Sequence, residues 1–542
     1  MTATPGRTST AYWADEVAAD AVADGHAHVV NDSKTPSGTI HVGSLRGVVL
    51  HDAIRRAVVD AGAPVAFRYG VEDLDPMDAQ SLLTPDAVER YMGVPLAHVP
   101  APPGSPHPNY ARHFAGLFLD TFARLGIHPQ LYWMSEQYGS GAMDQYIERA
   151  LDRADVILEI YRTVSTVVHP ADWLPISVIC ENCGRSGTTR AHDWSGCEVG
   201  YECRPDLVDW AKGCGHGGRT SPFGGRAKLV WNVDWAARWG LVGATIEGCG
   251  KDLATSGGSR DRADAISRRV FEREPPRNIP YEFLNVGGRK MSTSRGEGAA
   301  AHRMAELLPP EILRFLFLRY RPNHAINFDP TGDTIPRLFD EFDRCADAVA
   351  GRMTKGELPP NVERIFALSL PDDMADPQSA AARYRPAFAH LALLLQIPGA
   401  ALEERLTAEK GTRLDLDELA ALHEREAAAH AWLAELAPDE ARLAVRYDGL
   451  PAAAGDLSRD LRRFLGELAA NANRQRPTAG DSWQALIFTT ARDRGIRPAD
   501  AFAALYLAFL GRPNGPRAGW LLASLDRSFV VGRLSLAGGT TA

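Results

Sequence analysis

The stretch that decides the fold runs from His28 to Tyr69 and reads HVVNDSKTPSGTIHVGSLRGVVLHDAIRRAVVDAGAPVAFRY. It opens with the apolar run His28–Val30, continues through a loop over Asn31–Thr39, and then has apolar residues at helical spacing as far as Gly62. Pro64–Tyr69 predicts a second short strand. Because strand, loop, helix and strand in this order form a βαβ unit, we expect a parallel sheet that binds its ligand at the carboxyl ends of the strands.

Composition changes twice along the rest of the chain. Residues 170–225 are rich in Cys, Gly and Trp and lack helical periodicity, which indicates an insertion into the α/β domain. Lys228–Trp235 and Pro280–Val286 again predict strands, whereas the pattern is helical from about Ala300 and almost entirely so beyond about Ala380. We therefore predict an α/β domain followed by an all-α half.

Composition and charge limit the classes of protein that this chain can belong to. Its 542 residues are 45% hydrophobic and 23% charged, which is typical of globular proteins, and the net charge of -9 argues against a protein that simply coats nucleic acid. Between Asp456 and Ala542, however, 12 Arg and no Lys oppose 7 acidic residues, an excess that either faces a polyanion or forms a solvated helical surface. No apolar stretch is long enough to span a bilayer, and Met1–Tyr12 lacks the apolar core of an export signal. We therefore expect a soluble protein that is not exported.

Five of the seven cysteines lie between Cys180 and Cys214, which favours a metal site in a reducing compartment over a disulfide scaffold. The pair Cys180 and Cys183 can hold one side of a metal ion, and Cys203 and Cys214 can complete a tetrahedral zinc site. Such a closed site is structural, because catalysis needs an open coordination position. A reduced cluster without metal is the alternative. Three neighbours are possible substitutes for Cys203 or Cys214 as ligands: His192, Cys197 and His216.

The first chemical motif is Thr35-Pro36-Ser37-Gly38-Thr39-Ile40-His41-Val42-Gly43-Ser44, between the first strand and the first helix of the βαβ unit. A helix start offers unpaired N–H groups and the positive end of the helix dipole, which suit a nucleotide's phosphates. Gly38 and Gly43 let a ligand approach the backbone closely, and His41 adds a donor. By itself such a loop is more often a turn and a helix cap.

A second motif, Gly287-Gly288-Arg289-Lys290-Met291-Ser292-Thr293-Ser294-Arg295-Gly296, follows another predicted strand. Its glycines allow a loop that can carry a cation to a phosphate group. Two such elements at the ends of predicted strands together indicate a phosphate-binding site.

These motifs resemble the signatures of a known enzyme class. His41-Val42-Gly43-Ser44 resembles the HIGH motif of class I aminoacyl-tRNA synthetases, and Lys290-Met291-Ser292-Thr293-Ser294 resembles their KMSKS loop. The similarity extends to class I lysyl-tRNA synthetases in particular. It is carried by Trp13–Asp15, Thr35–Gly38, Tyr91–Leu96, Lys228–Trp239, Gly250–Asp252, Gly257–Ser259, Tyr281–Phe283, Leu313–Pro322 and Gly511–Leu522.

The resemblance implies a Rossmann-type catalytic domain over 1–300 with the zinc-binding insertion at 170–225, a helical stem-contact region over 301–380 and an all-helical anticodon-binding domain over 381–542. It implies ligation of L-lysine to tRNA(Lys) through a lysyl-adenylate, with ATP, Mg²⁺ and a structural Zn²⁺, in a cytoplasmic monomer. The residues implied as catalytic are His41, Ser44, Lys290 and Ser292. Those implied in nucleotide binding are Thr35, Pro36, Ser37, Gly38, His41, Gly43, Ser44, Lys251, Asp252, Lys290, Met291, Ser292, Thr293 and Ser294.

The amino-acid pocket departs from the family pattern. Leu253 occupies the place where the family's Gly-Lys-Asp is followed by His, which questions lysine as the substrate. A lysine ammonium needs a carboxylate, and Glu72, Asp73 and Asp75 are candidates, with a solvated acidic turn as the alternative. Two further functions therefore stay open: transfer of the amino acid to an acceptor other than tRNA, and tRNA binding without catalysis.

In the helical half, Arg459, Arg462 and Arg463 share one helical face by their spacing. Trp483, with Arg474 and Arg476, is a candidate for base stacking and phosphate contacts in an anticodon site. Surface charges around a core tryptophan are the alternative.

Overall fold

The computed structural model describes residues 11–78, 84–286, 289–290, 300–353, 361–372, 376–397, 401–439, 441–442 and 445–539. These residues form two compact units. The larger unit takes the described residues of Met1–Glu306, Pro310–Asp329 and Lys355–Pro377, and the smaller takes those of Leu307–Pro309, Pro330–Thr354 and Gln378–Ala542. The region 301–380 is therefore shared between the two units, and the roles assigned to the three regions stay predictions.

The strands, in chain order, are β1 His28–Lys34, β2 Val65–Val71, β3 Gln130–Trp133, β4 Ile176–Val178, β5 Thr189–His192, β6 Val199–Cys203, β7 Gly217–Thr220, β8 Ala227–Leu229, β9 Leu284–Val286, β10 Arg289–Lys290 and β11 Ile326–Asn327. The helices up to the end of the larger unit's sheet are α1 Trp13–Asp24, α2 Leu45–Asp60, α3 Pro85–Tyr91, α4 Tyr110–Arg124, α5 Met134–Gly139, α6 Asp144–Asp152, α7 Ala154–Val164, α8 Trp231–Val242, α9 Ser259–Arg269, α10 Ala301–Leu307 and α11 Pro310–Leu318. The remaining helices are α12 Thr334–Val349, α13 Val362–Ser369, α14 Pro377–Ala382, α15 Phe388–Leu394, α16 Leu402–Lys410, α17 Leu416–Glu435, α18 Arg459–Gln475, α19 Gly480–Asp493, α20 Pro498–Leu510, α21 Ala518–Ser524 and α22 Arg527–Ala537.

A parallel sheet forms the centre of the larger unit. β1 pairs in parallel with β2, and β2 pairs in parallel with β3. On the other side of β1, Val30 forms a parallel bridge to Ile246, which in turn bridges in parallel to Arg277. β1 is thus an inner strand with parallel neighbours on both sides, as in doubly wound α/β folds. The predicted α/β class with a Rossmann-type parallel sheet is confirmed.

The first strand is longer than its sequence pattern predicts. β1 continues to Lys34, which lies opposite Val71 in the parallel pairing with β2. The loop predicted over Asn31–Thr39 is therefore wrong for its first four residues. The polar side chains of Asn31 and Asp32 end the apolar run, but both residues are buried at the carboxyl end of the strand.

The segment 170–225 is built from short antiparallel strands, in agreement with its lack of helical periodicity. β4 pairs with β8, and β5, β6 and β7 form a separate antiparallel sheet in that order. The strand predicted over Lys228–Trp235 ends at Leu229, because α8 begins at Trp231. Nearly all of α8 is buried, and the periodicity of a fully buried helix cannot be told from that of a buried strand over so few residues.

In the smaller unit the structure describes helices and turns but no strand. The apolar side chains of α18, α19 and α20 meet in one core, which includes Phe464, Trp483 and Phe509. Trp483 is only 2% exposed, so the prediction that it stacks on a tRNA base is wrong and the core alternative holds. The arginines exposed on α18 are Arg459, Arg462, Arg463 and Arg474, and Arg476 is exposed at its C-terminal end.

Within the described part of the chain, no helix combines the length and the apolar character needed to cross a membrane.

Candidate active site

A cavity of about 470 Å³ opens at the carboxyl ends of β1 and β2. Six residues predicted for nucleotide binding line it: Thr35, Ser37, His41, Gly43, Ser44 and Asp252. Pro36, Gly38 and Lys251 do not belong to the described lining. The ammonium of Lys251 instead lies 2.6 Å from Glu282, whose side chain does line the cavity.

The fold presents the first motif at the start of a helix. Val42–Ser44 forms a 3₁₀ turn that leads directly into the 16-residue helix α2. Val42 and Leu45 are fully buried and anchor the turn, while His41, Gly43 and Ser44 face the cavity. The N–H groups and the positive end of the α2 dipole therefore meet the cavity, which suits an anionic ligand.

Two hydrogen bonds hold the loop Thr35–Gly38 against the rest of the unit. The Thr35 hydroxyl donates to Asp75 Oδ2 at 2.6 Å, and the Tyr110 hydroxyl donates to the carbonyl of Ser37 at 3.0 Å. Because both ends of the loop are fixed by residues distant in sequence, its shape is set before a ligand binds.

Backbone pairing brings the second motif to the first. Lys290 lies in β10, opposite Asn285 of the cavity-lining segment that contains β9. Beyond the motif, Ala300 forms an antiparallel bridge with His41, and the N–H of Ala301 donates to the carbonyl of Ile40 at 2.9 Å. The segment between Lys290 and Ala300 thus starts opposite β9 and ends beside the first motif. Met291, Ser292, Thr293 and Ser294 lie outside the described residues, as does the side chain of Lys290.

The acidic segment predicted to bind the lysine ammonium is buried rather than solvated. Glu72 is 1% exposed and contacts the guanidinium of Arg238, and Asp73 accepts from the N–H of Ser135 at 2.7 Å. Asp75 contacts the ammonium of Lys228. The alternative of a solvated acidic turn is therefore wrong, but all three carboxylates already have partners within the protein, and only Glu72 lines the cavity.

Lys228 is a functional candidate that sequence reasoning missed. Its ammonium contacts Asp75 and lies 3.7 Å from Glu72 Oε2 and 3.9 Å from Asp234 Oδ2. Burial by itself would lower the pKa of Lys228, but the carboxylates of Asp234 and Asp75 outweigh it and raise the pKa. A charged lysine therefore holds three acidic side chains together behind the nucleotide loop. No local pattern signals this, because Asp75 and Lys228 lie 153 positions apart.

Asp32 is a second residue that sequence reasoning missed, and it lines the cavity. Its Oδ1 accepts from the N–H of Ser33 at 2.8 Å. His51 Nδ1 lies 3.5 Å from Oδ2, but it is 2.7 Å from the carbonyl of Gly47, to which it donates. Burial raises the pKa of Asp32 to about 8, and the nearby Glu247 adds to the rise. The available signal was a charged residue two positions after the apolar run that begins the βαβ unit.

The structure brings the four predicted cysteine ligands together. The sulfur atoms of Cys180 and Cys214 lie 3.7 Å apart, those of Cys183 and Cys203 lie 3.6 Å apart, and all four lie within 4.8 Å of one another. Four sulfurs around a zinc ion at about 2.3 Å would be about 3.8 Å apart in a tetrahedron, so these positions fit a tetrahedral metal site. Burial raises the pKa of the Cys180 thiol to about 12, so metal binding there has to displace a proton.

The alternative ligands do not join this cluster. Cys197 is exposed, and its sulfur lies 3.9 Å from the Ser195 hydroxyl. Among the described residues, neither His192 nor His216 belongs to the group of side chains whose ligand atoms converge at the four thiols.

A parallel sheet with a cavity at the carboxyl ends of its strands and a helix start facing that cavity is the arrangement of nucleotide-binding α/β enzymes. Residues 11–371 match the model of the family described as tRNA synthetases class I (K), and the chain belongs to this family. The resemblance to class I lysyl-tRNA synthetases is thereby confirmed.

The similarity to known proteins extends over almost the full chain. A lysine–tRNA ligase from Methanosarcina barkeri (strain Fusaro) is 33% identical over 542 residues, which cover 97% of each chain. A lysine–tRNA ligase from Archaeoglobus fulgidus is also 33% identical, over 97% of this chain and 100% of its own. Among solved structures, a glutamate tRNA ligase from Elizabethkingia meningosepticum matches with a TM-score of 0.39 and 11% identity, over 95% of this chain and 100% of that chain.

Proposed function

We propose that the protein activates L-lysine with ATP and ligates it to tRNA(Lys) through a lysyl-adenylate. One structural observation carries the proposal: the bridge between Ala300 and His41, which joins the segment of the second motif to the first motif beside the cavity. Membership of the class I (K) family and the near full-length similarity to lysine–tRNA ligases support lysine as the amino acid.

The chemistry requires charge stabilisation and positioning rather than a protein nucleophile. The lysine carboxylate attacks the α-phosphorus of ATP, the bond to the departing pyrophosphate breaks, and negative charge builds on the phosphate oxygens. His41, Ser44 and the N–H groups at the start of α2 act as donors to these oxygens. Gly43 leaves room for the nucleotide, and Thr35 and Ser37 form a wall for it, with Pro36 and Gly38 shaping the loop that carries them. Removal of one such donor typically costs about 3 kcal/mol of transition-state stabilisation.

Residues of the second motif complete this set in our proposal. Lys290 neutralises charge on the pyrophosphate as it leaves, Ser292 takes part in the same step, and Met291, Thr293 and Ser294 are assigned to nucleotide binding. Asp252 lines the same cavity, and Lys251 next to it pairs with Glu282 of the lining, so we assign both to nucleotide binding. Mg²⁺ bound together with ATP would lower the charge repulsion among the phosphate oxygens.

Cys180, Cys183, Cys203 and Cys214 bind a structural zinc ion. The mutual distances of the four thiols support this assignment. With four protein ligands the site has no open position, so its role is to stabilise the fold of the segment 170–225 and not to act on the substrate.

The helical part of the chain binds tRNA. We assign 301–380 to contacts with the tRNA stem and 381–542 to the anticodon, and the exposed arginines of α18 support a phosphate-binding surface there. The protein acts as a cytoplasmic monomer in this proposal.

One observation favours a second function, transfer of the activated amino acid to an acceptor other than tRNA. Leu253 lines the cavity at the place where the family has a histidine, so the wall of the amino-acid pocket is more apolar here. An altered pocket is expected in a paralogue that has changed its substrates.

ATP–pyrophosphate exchange tests both functions. Exchange is measured with each standard amino acid, and transfer of the labelled amino acid is then measured with and without tRNA. Exchange that is specific for lysine, followed by lysine transfer to tRNA(Lys), supports the first function. Exchange without transfer to tRNA supports the second, and folded protein that exchanges no amino acid contradicts both.

A further inference from the structure

The carboxylates that line the cavity differ in whether a cationic side chain of the protein already pairs with them. Glu72 contacts Arg238, and Glu282 lies 2.6 Å from the ammonium of Lys251. Asp32 has no such partner: within the described residues, no Lys or Arg nitrogen lies within 4.0 Å of its carboxylate. Asp78 and Asp252 also line the cavity but are exposed, so Asp32 is the buried cavity carboxyl group left to pair with a cationic ligand.

The histidine beside Asp32 does not supply the missing cation. His51 Nδ1 donates to the carbonyl of Gly47, and its Nε2 accepts from the N–H of Gly248 at 2.8 Å. Because one ring nitrogen donates and the other accepts, the imidazole must be neutral, and burial also lowers the pKa of His51.

The surroundings of Asp32 suit an alkyl ammonium. A methyl group placed on Gly47 would lie 2.9 Å from Asp32 Oδ2 and 2.7 Å from the Tyr281 hydroxyl, so these two groups converge over the bare backbone of α2. Tyr69 and Tyr281 line the cavity around the carboxylate, and Trp231, Leu253 and Phe283 give it apolar walls. Aromatic rings attract cations, and apolar walls accept methylene groups.

We propose that Asp32 binds the side-chain ammonium of the amino-acid substrate and so selects a basic amino acid. This inference rests on the proposed function, since it places the lysine side chain in the same cavity. The acidic segment Glu72 to Asp75, which the sequence offered for this role, is held by Arg238, Ser135 and Lys228 instead. Leu253 then contacts the methylene chain, so a histidine at that place is not needed to bind the charge.

The test uses the full-length protein with Asp32→Asn, which keeps the shape of the side chain and removes its charge. We expect the KM for lysine in ATP–pyrophosphate exchange to rise about 50-fold, because a charge-assisted hydrogen bond is lost, and the KM for ATP to change less than about twofold. Asp120→Asn makes the same chemical change at an exposed position of α4 and should leave both constants unaltered. An unchanged KM for lysine in Asp32→Asn would overturn the inference.

An inhibitor distinguishes the side-chain ammonium from the α-ammonium. L-Norleucine has the α-ammonium and a linear alkyl chain but no terminal charge. Asp32→Asn should therefore weaken the binding of lysine, while the inhibition constant of norleucine stays within about twofold of its value in the parent protein. If the variant binds norleucine more weakly by the same factor as lysine, Asp32 binds the α-ammonium or supports the fold, and the inference is wrong.

A pH profile supplies a readout that a purely structural role would not move. A carboxyl group with a pKa near 8 must ionise before it binds the ammonium, so lysine should bind the parent protein about 25-fold more tightly at about pH 8.5 than at about pH 6.5. In Asp32→Asn this dependence should disappear, and its persistence would assign it to another group. The titratable and charged groups that surround Asp32 are Lys34, His51, Tyr69, Tyr132, Arg238, Glu247 and Tyr281.

Failure of this inference can be told from failure of the proposed function. If the parent protein shows no exchange with lysine, the proposed function is wrong. If the parent exchanges lysine normally and Asp32→Asn does so with the same KM, only the role of Asp32 is wrong.

Discussion

Replacement of Lys228 tests how the buried charges behind the nucleotide loop are held. The ammonium contacts Asp75 and lies within 4.0 Å of Glu72 and Asp234, and its side chain is only 8% exposed. Lys228→Met keeps much of the side-chain volume but leaves three carboxylates without their shared cation. We expect the free energy of unfolding near neutral pH to fall by about 3 to 5 kcal/mol, the usual cost of breaking a buried ion pair from one side.

The loss of stability should depend on pH in a definite direction. Burial raises the pKa of Asp234, and Lys228 is the strongest group opposing that rise. Without Lys228 the pKa of Asp234 in the folded protein rises further above its unfolded value. Protonation of Asp234 in acid therefore removes part of the free-energy cost of the unpaired carboxylate in the variant. The difference in stability between variant and parent should therefore shrink from about pH 8 to about pH 5. Urea unfolding followed by circular dichroism measures it, and an equal difference at both pH values would refute the shared-cation argument.

Lys228→Met should also affect nucleotide binding, because Asp75 contacts both Lys228 and Thr35 of the nucleotide loop. A second variant, Thr35→Val, removes only the hydroxyl that donates to Asp75 at 2.6 Å. For Thr35→Val we expect the KM for ATP to rise about fivefold, equivalent to about 1 kcal/mol. Because Lys228 positions the loop through the same carboxylate, the double variant should have no higher KM for ATP than Lys228→Met alone. Multiplied effects in the double variant would show that Asp75 does not connect the two residues.

Three further predictions concern other parts of the molecule. His41→Ala should lower the rate of ATP–pyrophosphate exchange about 100-fold, or about 3 kcal/mol, without altering the circular dichroism spectrum, and near-normal exchange would remove His41 from the mechanism. Cys203→Ser should abolish stoichiometric zinc in metal analysis and lower the Tm, whereas the exposed Cys197→Ser should keep both; parent protein purified without metal would contradict the zinc assignment. Arg459→Gln combined with Arg463→Gln should weaken tRNA binding about tenfold at low salt and reduce its salt dependence, while tRNA-independent lysine exchange stays constant; unaltered tRNA affinity would place the tRNA elsewhere.

The sequence by itself determined the features that depend on local pattern. Apolar periodicity from His28 to Tyr69 predicted the βαβ unit, because the repeat of a strand or a helix is visible within a few residues. The two motifs around His41 and Lys290 were recognisable because their glycine and cation positions are fixed relative to one another along the chain. The spacing of Cys180 and Cys183 likewise indicated the thiol cluster, which the structure forms with Cys203 and Cys214.

Only the tertiary structure decided which polar side chains are buried and with which partners. Asp75 meets Lys228 across 153 positions, and Ala300 bridges to His41 across most of the larger unit's chain, so no window of sequence contains both members of either pair. Asp32 ended an apolar run and suggested a loop, yet it lies on a buried strand end beside the cavity. The free energy of a buried charge depends on the distance to its counter-charge and on its exclusion from water, and both quantities arise only when distant segments pack together.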